Sequence, residues 1–304
     1  MENQKTKGQK GREKNTMKAV KFLASAISAA ALAGCCCAPV CNCQGPAGGK
    51  EPNISMFGSD IVKMAKERKI TIADAADMLY ALGVRGFDIG PDNKNLPALA
   101  ATKLKPINFY VFPRMFGPDN GAGECIRCLD QAVKYGVPRV MVVPTNFTKD
   151  GDEAAEFAKI VSSMRMFVAE GRKRGITITV EDFGGTANAA SHAKYLKRLL
   201  DEVSGLCFAL DSGNLYYAGR GDDILEMMEY AKGRIAHVHL KDQTKENNRK
   251  YATLGLGVVP NEKIVKSVNA MGYDGWYTLE NPVGDVYIDV VRQVAVLKSW
   301  MAGR

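Results

Sequence analysis

Histidine is almost missing from this chain, with three residues in 304, at positions 192, 237 and 239. Centres that gather several metal ions through many imidazoles are therefore out of reach. Phosphate-cradling glycine motifs are missing as well. Gly184-Gly185 follows a strand-like run but lacks the spacing of a dinucleotide fingerprint. Gly255-Leu256-Gly257 leads into Val-Val-Pro, not into a helix, and there is no P-loop. No short repeat is present. The one CxxC of the body, Cys125-Ile126-Arg127-Cys128, has no second pair and no histidine pair to complete a zinc site. It lies in a helical pattern, where residues three apart share a face, and reads as two partly buried thiols.

Strong charge of one sign is lacking too, once the N-terminus is set aside. The net charge is +8, but residues 1–22 hold seven Lys/Arg against Glu2 and Glu13. The remainder has 34 basic and 31 acidic residues. No basic stripe is needed to explain the charge, and no nucleic-acid partner is expected.

What is present begins with a leader. Met17-Lys-Ala-Val-Lys opens an apolar, Ala-rich run to Leu32 that is too short for a comfortable membrane span and reads as a signal peptide. Met17 fits a translation start, with 1–16 as an upstream extension. The run ends Leu32-Ala33-Gly34-Cys35, which resembles the lipobox of bacterial lipoproteins. That resemblance implies lipidation of Cys35, a membrane anchor and an extracytoplasmic location. Cys35, Cys36, Cys37, Cys41 and Cys43 crowd into the start of a Gly/Pro-rich stretch to residue 51, which reads as a tether. The expected organisation is 1–34 leader, 35–51 tether and 52–304 one globular domain.

From residue 54 onward, short apolar runs alternate with longer amphipathic ones. Strands are expected at 54–57, 86–89, 107–112, 139–143, 177–181, 207–211, 236–240 and 276–280. Helical patterns occupy 153–174, 190–203 and 222–232. Glycines at 83, 136, 175, 205, 233 and 272 precede the next strand and fit helix stops. Eight strand–helix units in about 250 residues predict a (β/α)8 TIM barrel, with a doubly wound open sheet as the alternative.

In such a barrel, active-site residues gather at the C-terminal ends of the strands. Glu181, Asp211 and Glu280 each end a predicted strand, and His239 lies near the end of Ile235-Ala-His-Val-His-Leu. His237 shares the face of His239 but lies one layer deeper, and reads as packing. Three carboxylates facing each other would repel until one protonates, and a divalent cation removes that conflict. Oxygen ligands plus one imidazole suit Mn2+, Mg2+ or Co2+, and admit Zn2+. Asn214, Lys241, Lys245 and Arg114, with Asn146, are expected substrate contacts from strand ends and loops.

These pieces resemble the xylose isomerase-like barrel superfamily, the sugar phosphate isomerase/epimerase group. The matching stretches are Val180-Glu181, Leu210-Asp211-Ser-Gly213, His237-Val-His239-Leu-Lys241-Asp242, and Gly255-Leu-Gly257 through Gly275-Trp-Tyr-Thr-Leu-Glu280. The resemblance implies Glu181, Asp211, His239 and Glu280 as ligands of one divalent cation. It implies a ketose 3-epimerase type of chemistry, with Glu181 and Glu280 as base and acid and a metal-stabilised enediolate between them. Against that branch, Asn214 replaces a histidine, Ala187 a glutamate and Lys245 an arginine. The substrate is therefore expected to be a sugar, sugar acid or cyclitol other than the branch's usual ketose. A dehydratase of a keto-sugar or keto-inositol uses the same proton abstraction and is the first alternative. A non-catalytic, lipid-anchored sugar-binding protein is the second. The phosphodiesterase branch of the superfamily builds its metal centre from many histidines and is disfavoured by the three found here. A homo-oligomer is left open.

Overall fold

The computed structural model describes residues 52–247 and 249–302. The expected leader, the acceptor Cys35 and the tether to residue 51 lie outside these residues. Eight parallel strands close a barrel. They are β1 (Asn53–Phe57), β2 (Val84–Ile89), β3 (Lys105–Val111), β4 (Arg139–Val142), β5 (Thr177–Glu181), β6 (Cys207–Asp211), β7 (Ile235–Leu240) and β10 (Trp276–Leu279). Each strand pairs with its neighbour in sequence, and β10 closes onto β1. The eight expected runs and the eight barrel strands coincide to within a few residues.

Helices cover the outside, as a parallel sheet requires. α1 (Gly58–Arg68) and α2 (Ile72–Leu82) follow β1; α3 (Leu96–Ala100), α4 (Ala122–Tyr135) and α5 (Glu153–Lys173) follow β2, β3 and β4. α6 (Ala193–Glu202) follows β5, and α7 (Asn214–Tyr217) and α8 (Asp223–Tyr230) follow β6. α9 (Asn261–Ala270) precedes β10, and α10 (Val286–Met301) ends the described chain. The starts are written locally: Thr71 and Asp74 form a capping box on α2, and Asp152 accepts from the N–H groups of Ala154 and Ala155 at α5. Among the stops, Gly83 and Gly136 take φ of 106° and 66°, a region closed to most side chains. The pattern at 190–203 is not one helix. Residues Ala189–Ser191 form a 3-10 turn, and extended backbone at His192 restarts the chain as α6. No helix among the described residues is long and apolar enough to cross a membrane.

Apolar strand residues such as Phe87, Phe208, Val180 and Val238 are buried between sheet and helices. Cys125 and Cys128, on the buried face of α4, are free, and burial pushes both thiols up to about 12. The barrel interior is different. Ser55, Asp88, Asn108, Thr179, His237 and Thr278 form a buried polar layer there.

After β7 the chain makes a small antiparallel hairpin, β8 (Asp242–Gln243) with β9 (Tyr251–Ala252), which the sequence did not announce. Asp242 organises it. Its Oδ1 accepts from the N–H groups of Gln243 and Val259, and its Oδ2 from those of Gly255 and Gly257. A Cβ at Gly257 would collide with Asp242 Oδ1 and with the Gln243 carbonyl.

Candidate metal and substrate site

Strand register brings the ligand-type residues to one level. Asp211, the last residue of β6, pairs with His239 of β7, and His239 pairs with Thr278 of β10. Glu181 ends β5. Glu280 falls one residue beyond β10, its N–H bonded to Leu240 O, and Asn281 at φ 55° turns the chain away. His239 Nδ1 lies 2.7 Å from Glu181 Oε1, 3.8 Å from Asp211 Oδ2 and 3.9 Å from Glu280 Oε2. The four residues expected from the sequence therefore converge on one ring nitrogen.

The electrostatics are those of a site that lacks enough positive charge. Asp211 is wholly buried; burial, with Glu280 and Glu181 nearby, raises its carboxyl to about 7 although Lys241 pulls it down. Lys241 is buried beside it, with Nζ 3.0 Å from Asp211 Oδ2 and 2.9 Å from Glu280 Oε2. Burial opposes its charge, but the three carboxylates outweigh that and hold the ammonium well above its ordinary pKa. The same ammonium, against the effect of burial, lowers Glu280. One residue from Glu181, Asp182 is buried and accepts from the Asp211 N–H; burial and the Asp211 charge push it well above the usual carboxylate range.

A divalent cation fits this donor set. Glu181, Asp211 and His239 offer ligand atoms within 4.8 Å of one another. Asp211 Oδ2 and Glu280 Oε2 are buried without an aligned hydrogen bond, and the Lys241 ammonium beside them marks where positive charge is favoured. Carboxylates plus one imidazole nitrogen are the donors that Mn2+, Mg2+, Co2+ or Zn2+ accept.

Asp88 was missed by the sequence reading. It sits inside β2 and is completely buried, and its Oδ2 lies 3.1 Å from His239 Nε2 and 2.8 Å from His237 Nε2. Asn108 donates to the same oxygen at 2.7 Å, and Thr278 donates to Oδ1 at 3.0 Å. Burial alone would raise Asp88, but the two imidazoles outweigh it and hold the carboxyl well below its usual range. An ionised Asp88 takes the Nε2–H of His239, while Nδ1 lies against Glu181 Oε1. Against the effect of burial, these two carboxylates hold the imidazole well above its ordinary pKa, and a divalent cation would take the place of the Nδ1 proton. His237 is part of this support. Burial pushes it down to about 4, keeping it neutral.

Above the cluster opens a cavity of about 500 Å3, walled by Phe57, Tyr110, Phe112, Phe183, Tyr217 and Tyr251. Asn214 and Lys241 reach it, as expected. Asn214 Nδ2 donates to Asp182 O, which turns the amide oxygen to other partners. Three expected contacts do not line it. Arg114 is 84% exposed and tied to Glu124 through its Nε at 2.7 Å and its backbone N–H. Lys245 is exposed on the connection between β8 and β9, outside the cavity lining. Asn146 is engaged by Asn188 Nδ2 at 2.9 Å.

Comparison with known proteins adds the following. The sequence profile of the family described as "Xylose isomerase-like TIM barrel" matches residues 79–297. A curated relative, inosose dehydratase of Erwinia tasmaniensis, is 28% identical over 127 residues, which is 36% of this chain and 42% of that protein. The alignment thus spans less than half the length of that relative. The probable 3-DHS dehydratase AsbF of Bacillus anthracis superposes with a TM-score of 0.65 at 16% identity, covering 81% of this chain and 98% of its own. The IolI protein, solved with a bound zinc atom, gives 0.63 at 13% identity, covering 83% and 97%. At such identities the two structures speak for the fold alone.

Proposed function

Since the chain belongs to the xylose isomerase-like TIM-barrel family, we propose that it is a divalent-metal-dependent isomerase or epimerase of a sugar, sugar acid or cyclitol. One observation carries this reading. Two glutamates, Glu181 from β5 and Glu280 after β10, approach His239 Nδ1 from different sides of the barrel, with β6 and β7 between them.

A divalent cation held by Glu181, Asp211, His239 and Glu280 would supply Lewis-acid polarisation of a substrate carbonyl and its neighbouring hydroxyl. The remaining work belongs to side chains. Glu181 takes the proton from the carbon beside the carbonyl, and Glu280 returns one to the other face or to the adjacent carbon. Asn214 accepts a hydrogen bond from a substrate hydroxyl but carries no proton to give near neutral pH. Lys241 holds positive charge where negative charge develops. The aromatic wall excludes water from the apolar faces of the ring. The zinc atom in the related IolI structure supports a metal. The lipobox-like ending at Cys35 supports an extracytoplasmic, lipid-anchored enzyme acting on sugars outside the cytoplasm.

A dehydratase is the second reading, and Lys241 favours it. A buried ammonium touching two of the expected ligands is placed to protonate a departing hydroxyl after the same proton abstraction. The curated relative with that activity points the same way. The test is incubation of the Mn2+- and Zn2+-loaded protein in D2O with ketoses and inososes, followed by mass spectrometry. Solvent deuterium incorporated with carbon skeleton and water retained identifies isomerisation or epimerisation, and loss of one water identifies the lyase. Glu280→Gln should lose either reaction. Sugar binding without exchange would make the protein a binder, and no metal with no exchange on any candidate would sink the reading.

A further inference from the structure

The cavity does not end at its aromatic wall. The Phe57 ring stands edge-on to His239, centroids 5.2 Å apart. Tyr110 follows at 5.5 Å and Phe112 at a further 6.3 Å, each step about the width of a six-membered ring. Phe112 also meets Phe183 at 5.9 Å, yet 58% of it remains exposed at the barrel mouth. Beyond Tyr110 and Phe112 lies a second cavity of about 390 Å3, and these two rings are the residues that it shares with the first. Apart from the shared rings and the apolar Pro91, Val111 and Cys128, its lining is polar and carries no further aromatic ring. The turn after β2 gives Asp92 and Asn93, and α4 gives Glu124 and Arg127. Glu124 is already held by Arg114, and Asn93 Oδ1 accepts from the Asn95 N–H. Arg127 adds its charge to that of Arg114 beside Glu124 but forms no ion pair with it, so its guanidinium, the exposed Asp92 carboxylate and the amide donors of Asn93 face a ligand.

We propose that the second cavity is a subsite for the other half of a glycoside. The reacting ring sits over the ligand cluster, the glycosidic link crosses Phe112, and a second sugar ring is held by Asp92, Asn93 and Arg127. The first ring's placement rests on the proposed sugar chemistry; the subsite rests on the shared aromatic wall and the polar lining behind it. Sugars present C–H faces that pack on aromatic rings and hydroxyls that suit carboxylate, amide and guanidinium partners. The two chambers offer these in the order a disaccharide needs: an aromatic box, an aromatic sill, then a polar shelf. A free monosaccharide would leave the sill and the shelf unused.

The experiment measures binding, so it does not depend on turnover. The full-length chain, loaded with Mg2+, is titrated by calorimetry with D-glucose, D-galactose, cellobiose, lactose and trehalose. At least one disaccharide should bind about ten-fold more tightly than either monosaccharide. The double variant Asp92→Ala/Arg127→Ala, both sites being exposed, should erase that preference and leave monosaccharide affinity within about two-fold. Equal affinity across the panel, a preference that survives in the variant, or no binding of any sugar would each overturn the subsite. Preference lost in the variant but no deuterium exchange would keep the subsite and remove the catalytic reading. Exchange without preference would do the reverse.

Discussion

Asp88 and Asp211 are equally buried carboxylates inside one barrel, and they titrate in opposite directions. Asp88, on β2, faces two imidazoles, an amide and a hydroxyl, and is held ionised. Asp211, on β6, faces two further carboxylates and one ammonium, and rises to about 7. Burial raises both; the neighbours decide the outcome. The difference separates the two halves of the molecule. From β5 to β10 the barrel supplies atoms that need a cation. From β1 to β4 it supplies Asp88, Asn108 and the Phe57, Tyr110 and Phe112 side of the aromatic wall, groups that aim or enclose the others. The carboxylates of the one half have a single buried ammonium to share, while Asp88 of the other is met by two imidazoles, an amide and a hydroxyl.

Removing a ligand tests the needy half most severely. His239→Ala should abolish retention of Mn2+ or Zn2+ through gel filtration, read by elemental analysis, with folding monitored by circular dichroism. Asp88→Asn strikes the complete half. Losing the charge that takes the Nε2–H of His239 should weaken metal affinity roughly ten- to a hundred-fold, measured against a fluorescent chelator. If Asp88→Asn matches the wild type, the division of labour between the halves is wrong.

Asp60, in the first turn of α1, sharpens the comparison because it belongs to the first half and senses the second. Burial and the Glu280 charge raise it to about 7. Its folded pKa exceeds its unfolded value near 3.8, so between these pH values the folded state holds the extra proton. Stability therefore falls as pH rises from about 4 to about 7 and then levels. Asp60→Asn should leave stability unchanged at pH 4 and add about 1 kcal/mol at pH 8, discounted for its partial exposure. The measurement is urea unfolding of chelator-treated protein, since a cation beside Glu280 would weaken the repulsion. A gain at pH 4 equal to that at pH 8 would contradict the assignment. The smallest effect is expected from Lys245→Ala, which lies outside both cavities and should alter metal and sugar affinity by less than about two-fold.

The needy half was the legible one. Glu181, Asp211, His239 and Glu280 stand at the ends of apolar runs, where a charged group breaks the pattern and strand parity places it. Asp88 also interrupts an apolar run, Val84-Arg-Gly-Phe-Asp-Ile, but lies within the strand, and nothing in its spacing points to histidines about 150 residues away. Phe57, Tyr110 and Phe112 read as ordinary strand hydrophobics, since a wall differs from a core only by what lies on its other side. Arg114 and Lys245 were misplaced for a related reason. Residue type suggests an anion or sugar contact, but the direction of a loop is set by partners such as Glu124 and by the Asp242-centred hairpin. Strand count and order followed from periodicity; the break at His192 and the β8–β9 hairpin depended on backbone details that periodicity does not register.

The grip of Asp242 on four backbone N–H groups has a mechanical consequence. Leu256, 77% exposed, sits on the loop that this carboxylate ties to the residue following Lys241. An exposed apolar tip of this sort would ordinarily be where a protease cuts or an insertion is absorbed. Here the loop is stapled on both sides of the tip, with Gly255 and Gly257 each donating to the same oxygen. Lengthening it by a residue would pull on Asp242, and through it on the backbone that carries the ammonium into the ligand cluster. The surface stretch is bound by the same geometric tolerance as the centre of the barrel.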